Sequence, residues 1–420
     1  MNQQNGMNVC LMNDSFPPTI DGVANCVKNY ADIIERDLGH ALVCTPHYPH
    51  VQDNYPYPVL RYPSFNISKA IGYRAGMPFD RKTIEQLKQW PIDVIHVHCP
   101  IMSMVMARTV RELVHRPIIL TYHSKFDVDI QQEIPSPAVQ EQATKAILAN
   151  IEAADAVWTV SEGASRSLRN LGYTGEYRVM QNGVDLPLGT APAEAVTAIN
   201  DQLGLAPDTP LLLFIGRIMW YKGIRQILDA VRLMKPENPD FRMLFVGDGL
   251  DKDEIVRYAQ EIGVTDRTIF LPAVTDRNQL RAYYSRGDLF LFPSDYDTNG
   301  LVVHEAAACG TASVTLAGSC AAENVIDGRN GLTVDKTPES LAKICLEMLS
   351  HPEAMRRIGE CAQAELYLSW DESVRRAYRE YDNVCRDYRR HLHPARNGKS
   401  DYFFRTVAKF FRNGRGGRSR

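Results

Sequence analysis

Three short segments hold the side chains of this chain best suited to a charged, polyhydroxylated ligand. In Phe292-Pro293-Ser294-Asp295-Tyr296-Asp297-Thr298-Asn299-Gly300-Leu301-Val302-Val303-His304-Glu305-Ala306-Ala307-Ala308-Cys309-Gly310, the carboxylates Asp297 and Glu305 are separated by seven residues across Gly300. A carboxylate on the loop and a second inside the following helix would face different parts of one extended ligand, and polyol hydroxyls suit two such separated acceptors. The second segment is Phe214-Ile215-Gly216-Arg217, followed by Trp220, Lys222 and Gly223. Arg217 as a planar fork and Lys222 as a point charge could grip two phosphates at one strand-to-helix turn. Such a pair stabilises charge developing on a leaving diphosphate, work that a divalent metal does elsewhere. The third, Ser15-Phe16-Pro17-Pro18-Thr19-Ile20-Asp21-Gly22-Val23, ends in Gly22 just ahead of an apolar helix, where free N–H groups and the helix dipole favour a phosphate.

Each segment also has a plainer reading. Arg217 and Lys222 could be solvated loop cations, and Pro17-Pro18 with Gly22 could simply shape a turn. Asp295-Tyr296-Asp297 has the spacing of a D-x-D metal motif, but Arg217 and Lys222 already provide positive charge, so no metal is expected there. Alternation puts His96 and His98 of VIHVHCP on one strand face, where two histidines read as hydrogen-bonded core or cleft residues rather than metal ligands. His123 ends the run PIILTYH, and Lys125, Asp127 and Asp129 follow it as loop charges.

The elements that would position these groups are legible as apolar runs. MNVCLMN, HALVCTP, VIHVHCP, PIILTYH and AVWTVSE alternate with helical stretches, the βαβ rhythm of a parallel sheet. A second series follows in PLLLFIGR, FRMLFVGDG, TIFLPAV, DLFLFPS, TASVTLAG and GLTVD. Residues 182–210, rich in Gly, Pro, Ala and Asp, read as a linker with a short helix, which places a boundary near 187. The expected division is therefore 1–186, 187–385 and a basic amphipathic tail, 386–420, with the last helices free to pack on either domain. Ligands of doubly wound domains bind at the carboxyl ends of the strands.

With 420 residues, 45% apolar and 23% charged, the chain is long enough for two or three packed α/β domains and is no disulfide-stapled miniprotein. Its nine scattered cysteines read as reduced core thiols in a cytosol. No run is long and apolar enough for a membrane span, and the first residues lack an export signal. The net charge of −3 is uneven: residues 389–420 carry ten Lys/Arg against Asp401, or +9, which leaves −12 on the rest. An acidic body argues against nucleic acid as a partner, whereas the basic end suits an anionic surface.

The Asp297–Glu305 segment resembles the E-x7-E signature of the retaining glycosyltransferases of family 4. The loop at Gly22, His123, the VSEGA and QNGVD segments, the G-R-x4-K-G turn and the VGDG turn follow in that family's order, over roughly residues 7–385. The resemblance implies the GT-B fold, two Rossmann-like doubly wound domains facing a central cleft. It also implies a hexose transfer from a nucleotide diphosphate sugar, UDP- or GDP-linked, with no obligatory cofactor or metal. Arg217 and Lys222 match the pair on the donor diphosphate, and Gly300, Leu301 and Val302 the backbone amides beside it. Glu305 matches the ribose ligand, Asp297 the contact to the transferred sugar, and His123 a histidine near the reacting centre; Gly22, Gly216 and Asn299 complete the expected donor surface. Two departures stand out: Asp297 is one methylene shorter than the usual Glu, and Asn299 stands where an apolar or aromatic residue usually precedes the Gly.

The expected acceptor is a hydroxyl of a membrane lipid such as diacylglycerol, or of a lipid-linked glycan, because Gly72-Tyr73-Arg74-Ala75-Gly76-Met77-Pro78 looks like membrane-glycolipid relatives of this class. The tail KSDYFFRTVAKFFRNGRGGRSR adds Phe403, Val407, Phe410 and Phe411 at helical spacing with Arg405, Lys409 and Arg412 around them, the pattern of an interfacial anchor over 399–420. The same phenylalanines could instead dock the helix on the protein. The expected location is cytoplasmic, peripheral to the inner face of the membrane. A non-catalytic nucleotide-sugar-binding protein, a nucleotide-sugar epimerase and a glycan phosphorylase are the competing readings.

Overall fold

The apolar runs bounded by turn residues become strands because a parallel sheet covered on both faces buries every side chain of its strands. The computed structural model describes residues 6–19, 21–66, 74–237, 240–390 and 399–413. From the N-terminus the order is β1 (Asn8–Met12), α1 (Gly22–Ile33), β2 (His40–Pro46), β3 (Val59–Tyr62), β4 (Ser64–Asn66), β5 (Arg74–Gly76), α2 (Arg81–Gln89), β6 (Val94–Val97), α3 (Met102–Val114) and β7 (Ile118–Tyr122). Then come α4 (Phe126–Glu133), α5 (Pro137–Glu152), β8 (Ala156–Thr159), α6 (Glu162–Asn170) and β9 (Arg178–Val179). The second series runs α7 (Ala193–Leu203), β10 (Leu211–Ile215), α8 (Ile224–Met234), β11 (Arg242–Val246), α9 (Lys252–Glu261), β12 (Thr268–Leu271), α10 (Arg277–Arg286), β13 (Leu289–Phe292), α11 (Leu301–Ala308), β14 (Ala312–Leu316) and β15 (Leu332–Val334). It closes with α12 (Pro338–Leu349), α13 (Pro352–Leu366), α14 (Trp370–Arg389) and α15 (Lys399–Asn413).

Two α/β units result, one of residues 1–182 with 370–420 and one of residues 183–369. In the first, seven parallel strands lie in the order β3-β2-β1-β6-β7-β8-β9; in the second, six lie in the order β12-β11-β10-β13-β14-β15. Both are doubly wound, and the strand order reverses between β1 and β6 and between β10 and β13. The reading that ended the second domain at 385 differs from this division, which assigns everything from Trp370 onward to the first unit. The reason is an apolar stripe on α14: Trp370, Val374, Ala377 and Tyr381, at helical spacing, are buried in one cluster with Val9, Leu11, Tyr30 and Trp158 of the first unit.

The tail helix α15 is split between two environments. Phe404, Ala408 and Phe411 are buried. Asp401 lies 3.2 Å from Arg108 and 3.6 Å from Arg111 of α3, and the Arg108 guanidinium stacks over the Phe404 ring at 4.0 Å. Tyr402, Phe403 and Phe410 are exposed by 72%, 53% and 70%. Phe411, expected on the lipid side, therefore faces the protein, because helical geometry gives 404, 408 and 411 one face and 403 and 410 another. The Phe403 ring meets Phe79 edge-on at 6.0 Å, and Phe65, Met77 and Phe79 of the same unit are exposed too. Gly72, Tyr73 and residues 414–420, which belong to the acceptor and tail readings, lie outside the described residues, as does Ile20 of the first loop.

Candidate active site

At a topological switch point the chains leave two neighbouring strands in opposite directions, and the loops beyond their carboxyl ends border a crevice. In the second unit those strands are β10 and β13, paired Leu212 to Leu289 and Leu213 to Phe290. Their following loops are residues 216–223 and 293–300, the two segments singled out above. Gly223, at φ 78°, seats one on the other: a Cβ there would lie 2.3 Å from the Pro293 carbonyl oxygen.

Lys222 and Asp297 meet in this seat. Lys222 Nζ donates to Asp297 Oδ1 at 2.5 Å, while Ser294 Oγ donates to Asp297 Oδ2 at 2.6 Å. Lys222 is only 7% exposed, its ammonium lying 5.4 Å from the Tyr221 ring centre and 5.6 Å from that of Phe292. The exposed Arg217 reaches the same Tyr221 ring at 5.8 Å. Residues expected at adjoining parts of the donor, the transferred sugar and the diphosphate, are thus ion-paired. Asp295 turns to Lys336 at 2.5 Å, so the two carboxylates of the D-x-D spacing each pair with a different lysine.

Gly300, at φ 61°, is the N-cap of α11 and, as a glycine, brings no side chain to the positive end of this helix. Leu301 and Val302 form its first turn. The neighbouring Asn299 Nδ2 is buried without a partner among the described residues. A buried amide left so costs about 1–3 kcal/mol, which a ligand oxygen would relieve.

Glu305 lies on the same helix, and both of its oxygens are occupied. Oε1 accepts from Arg277 Nη2 at 2.9 Å and Oε2 from the Tyr284 hydroxyl at 2.9 Å; Arg277 also lies 3.5 Å from Asp185. Burial, reinforced by the Glu305 charge, pushes the Tyr284 phenol well above its ordinary range, so it remains a donor. Arg277 and Tyr284 were not picked out from sequence. Their spacing of seven on α10, which returns to one helix face, was the available signal. Ser294, Tyr221 and Phe292 were missed likewise, because nothing in sequence says which side chains in and beside these loops turn inward.

In the first unit the switch lies between β1 and β6. Asp14, in the loop after β1, accepts from the Met102 and Ser103 amides at 3.0 and 2.7 Å and so anchors that loop to the start of α3. The phosphate role expected at Gly22 gains no such support. Asp21 already accepts from the Val23 and Ala24 amides at 2.8 and 2.7 Å, giving the α1 N-terminus its anion from within the chain.

His96 is satisfied on both sides, by the Tyr381 hydroxyl and by Thr121 Oγ1, each at 2.7 Å, as befits a core histidine. His98 Nδ1 lies 2.9 Å from His123 Nε2, with Cys26 Sγ 3.9 Å from the same nitrogen. Burial lowers the His123 pKa to about 3, so its imidazole is neutral at pH 7. Asp127 binds Ser167 and Asn170 of α6 and serves structure there.

Comparison with known proteins accounts for both units. The family model described as Glycosyltransferase Family 4 matches residues 20–187, and the one described as Glycosyl transferases group 1 matches 196–365. A D-inositol 3-phosphate glycosyltransferase of Mycolicibacterium smegmatis is 30% identical over 318 residues, 72% of this chain and 70% of that protein. An alpha-monoglucosyldiacylglycerol synthase of Acholeplasma laidlawii is 23% identical over 378 residues, 85% of this chain and 92% of the relative. With the inositol-phosphate enzyme of Xylanimonas cellulosilytica the match is 33% over 206 residues, and the chain spans about half, 48%, of that protein's length. Among solved structures, Anabaena Alr3699/HepE in complex with UDP superposes with a TM-score of 0.72 at 20% identity, over 90% of this chain and all of the other. The chain belongs to the family 4, group 1 glycosyltransferases and has the two-Rossmann GT-B fold.

Proposed function

We propose that this glycosyltransferase is a retaining hexosyltransferase that takes a hexose from a nucleotide diphosphate sugar and adds it to a hydroxyl of a membrane lipid. The observation that carries the donor half is the Lys222–Asp297 pair, which joins the two loops beyond the carboxyl ends of β10 and β13 at the switch point of the second sheet. The Lys222 ammonium, with the Arg217 guanidinium and the start of α11 on the same two loops, would suit a diphosphate most when the bond to the sugar breaks and charge builds on the β-phosphate. The leaving phosphate oxygen then takes the acceptor proton on the same face of the sugar. Asp297 holds the Lys222 ammonium in place and reaches the sugar, and Glu305 reads the ribose with its remaining lone pairs. His123, neutral, orients a hydroxyl near the reacting centre. The complex of the Anabaena protein with UDP supports uridine as the nucleoside.

The acceptor half rests on α15 and on two relatives named alpha-monoglucosyldiacylglycerol synthase. Exposed Tyr402, Phe403 and Phe410 beside Arg405, Lys409 and Arg412 offer aromatic rings to headgroups and cations to anionic lipid. Among the described residues no helix is long and apolar enough to cross a membrane, so this contact would be interfacial. The test is a thermal-shift panel of UDP, GDP, ADP and their hexose conjugates, followed by product analysis on vesicles containing diacylglycerol. One preferred nucleotide and a new glycolipid with the donor's anomeric configuration are expected. Sugar conversion without an acceptor would indicate an epimerase, and nucleotide binding without turnover on any acceptor a binding protein.

A further inference from the structure

We infer that Cys26, His98 and His123 form an exchangeable site for a divalent cation of the zinc class, and that its occupation withdraws His123 from its other contacts. The three side chains come from α1 and from the residues that follow β6 and β7, and one ligand atom of each lies within 4.8 Å of the others. A fourth donor is at hand, because Asn182 Oδ1 lies 3.5 Å from Cys26 Sγ.

The distances resemble the edges of a metal tetrahedron. Zn–S of about 2.3 Å and Zn–N of about 2.0–2.1 Å imply S···N and S···O edges of about 3.5 Å and an N···N edge of about 3.3 Å. The corresponding separations are 3.9 Å from Cys26 Sγ to His98 Nδ1, 3.5 Å from Cys26 Sγ to Asn182 Oδ1, and 2.9 Å from His98 Nδ1 to His123 Nε2. These three edges lie within about 0.4 Å of those around a bound ion. All three side chains are buried, at 1%, 2% and 8% exposure, and imidazoles kept neutral by burial carry the lone pairs that a metal needs.

Binding balances simply. The Cys26 S–H bond breaks, its proton goes to solvent and the thiolate bonds the metal. The proton now shared between His98 Nδ1 and His123 Nε2 moves to an outer ring nitrogen, so both rings stay neutral. One proton is released per ion. Resident zinc sites anchor the outer N–H of their histidines. Here His98 Nε2 has no partner among the described residues, so the site is exchangeable rather than permanently filled.

The test is titration of the metal-free full-length protein with Co²⁺, followed by displacement with Zn²⁺. One equivalent should raise a thiolate-to-cobalt charge-transfer band with the visible spectrum of tetrahedral cobalt, release one proton, and lose both bands on adding Zn²⁺. Cys26→Ser should abolish the charge-transfer band, and Zn²⁺ should inhibit transfer at least tenfold less potently in that variant, relative to its own metal-free rate. Should Cys26→Ser melt abnormally, His98→Gln, with the thiol intact, should lose the tetrahedral spectrum. Absence of the band from the wild-type protein, its persistence in Cys26→Ser, or equal zinc inhibition of both would overturn the proposal. The spectrum needs no sugar donor, so its outcome is separate from the choice of substrate.

Discussion

Lys222 and Asp297, 75 residues apart in the chain, are joined at 2.5 Å with side chains only 8% and 19% exposed. A lysine so enclosed is aimed by its carboxylate, and the carboxylate in turn is fixed by Ser294. The pair bears on stability and, under the proposed function, on the handling of phosphate, and the two roles can be separated.

Lys222→Ala should lower kcat/KM for the sugar donor by roughly 30- to 1,000-fold, about 2–4 kcal/mol of transition-state stabilisation. A loss within a few-fold would remove Lys222 from the diphosphate. In melting experiments, Lys222→Ala and Asp297→Asn should be less than additive when combined, since each alone leaves the other member enclosed without its counter-charge.

Tyr284→Phe removes the donor to Glu305 Oε2 while keeping the ring in its buried place. A hydrogen bond to a charged group is worth about 1.5–3 kcal/mol, so the protein should melt measurably earlier. As Glu305 would still be held by Arg277, the donor KM should rise by more than kcat falls; a fall in kcat with unchanged KM would deny Tyr284 a role in positioning Glu305.

The two faces of α15 should respond differently. Phe403→Asp with Phe410→Asp should abolish sedimentation with anionic vesicles and leave the melting temperature and the nucleotide thermal shift as they were. Asp401→Ala removes the buried carboxylate beside Arg108, a loss of about 3–5 kcal/mol for such a pair, while Arg111 keeps Asp155 at 3.5 Å. Limited proteolysis should then cut α15 much sooner.

Acid should destabilise the first unit. His123 binds its proton at about 3 when folded and near 6.5 when unfolded, and burial lowers His96 and His98 as well. Between those values the unfolded chain holds more protons, so stability is complete above about pH 6.5 and falls on acidification towards about pH 3, by about 1.4 kcal/mol per pH unit for each fully affected histidine. Urea midpoints at pH 7.0, 6.0 and 5.0 should decline in that order; a flat profile would mean that these rings are hydrated.

The eleven strand-like runs read from the sequence all became strands, because a strand buried on both faces has to be apolar along its length. The short β3, β4, β5 and β9 escaped notice; the burial of β3, β4 and β9 is partial and leaves no such run. Site segments were legible for a related reason: Gly223 and Gly300 mark turns that few other residues could make. The partners of the charged residues beside them were not legible. Sequence separates Lys222 from Asp297, Glu305 from Tyr284 and Cys26 from His123; the order β10 beside β13 brings the first pair together and the order β1-β6-β7 the last. The tail shows the same division: the amphipathic pattern was evident in its phenylalanines, but which of them would face protein was set by Arg108 and Arg111 on α3. Local patterning determined the strands, turns and chemically able residues, since burial and backbone geometry act on near neighbours. Tertiary structure decided which charges meet, because that depends on sheet order, which no short stretch of sequence contains.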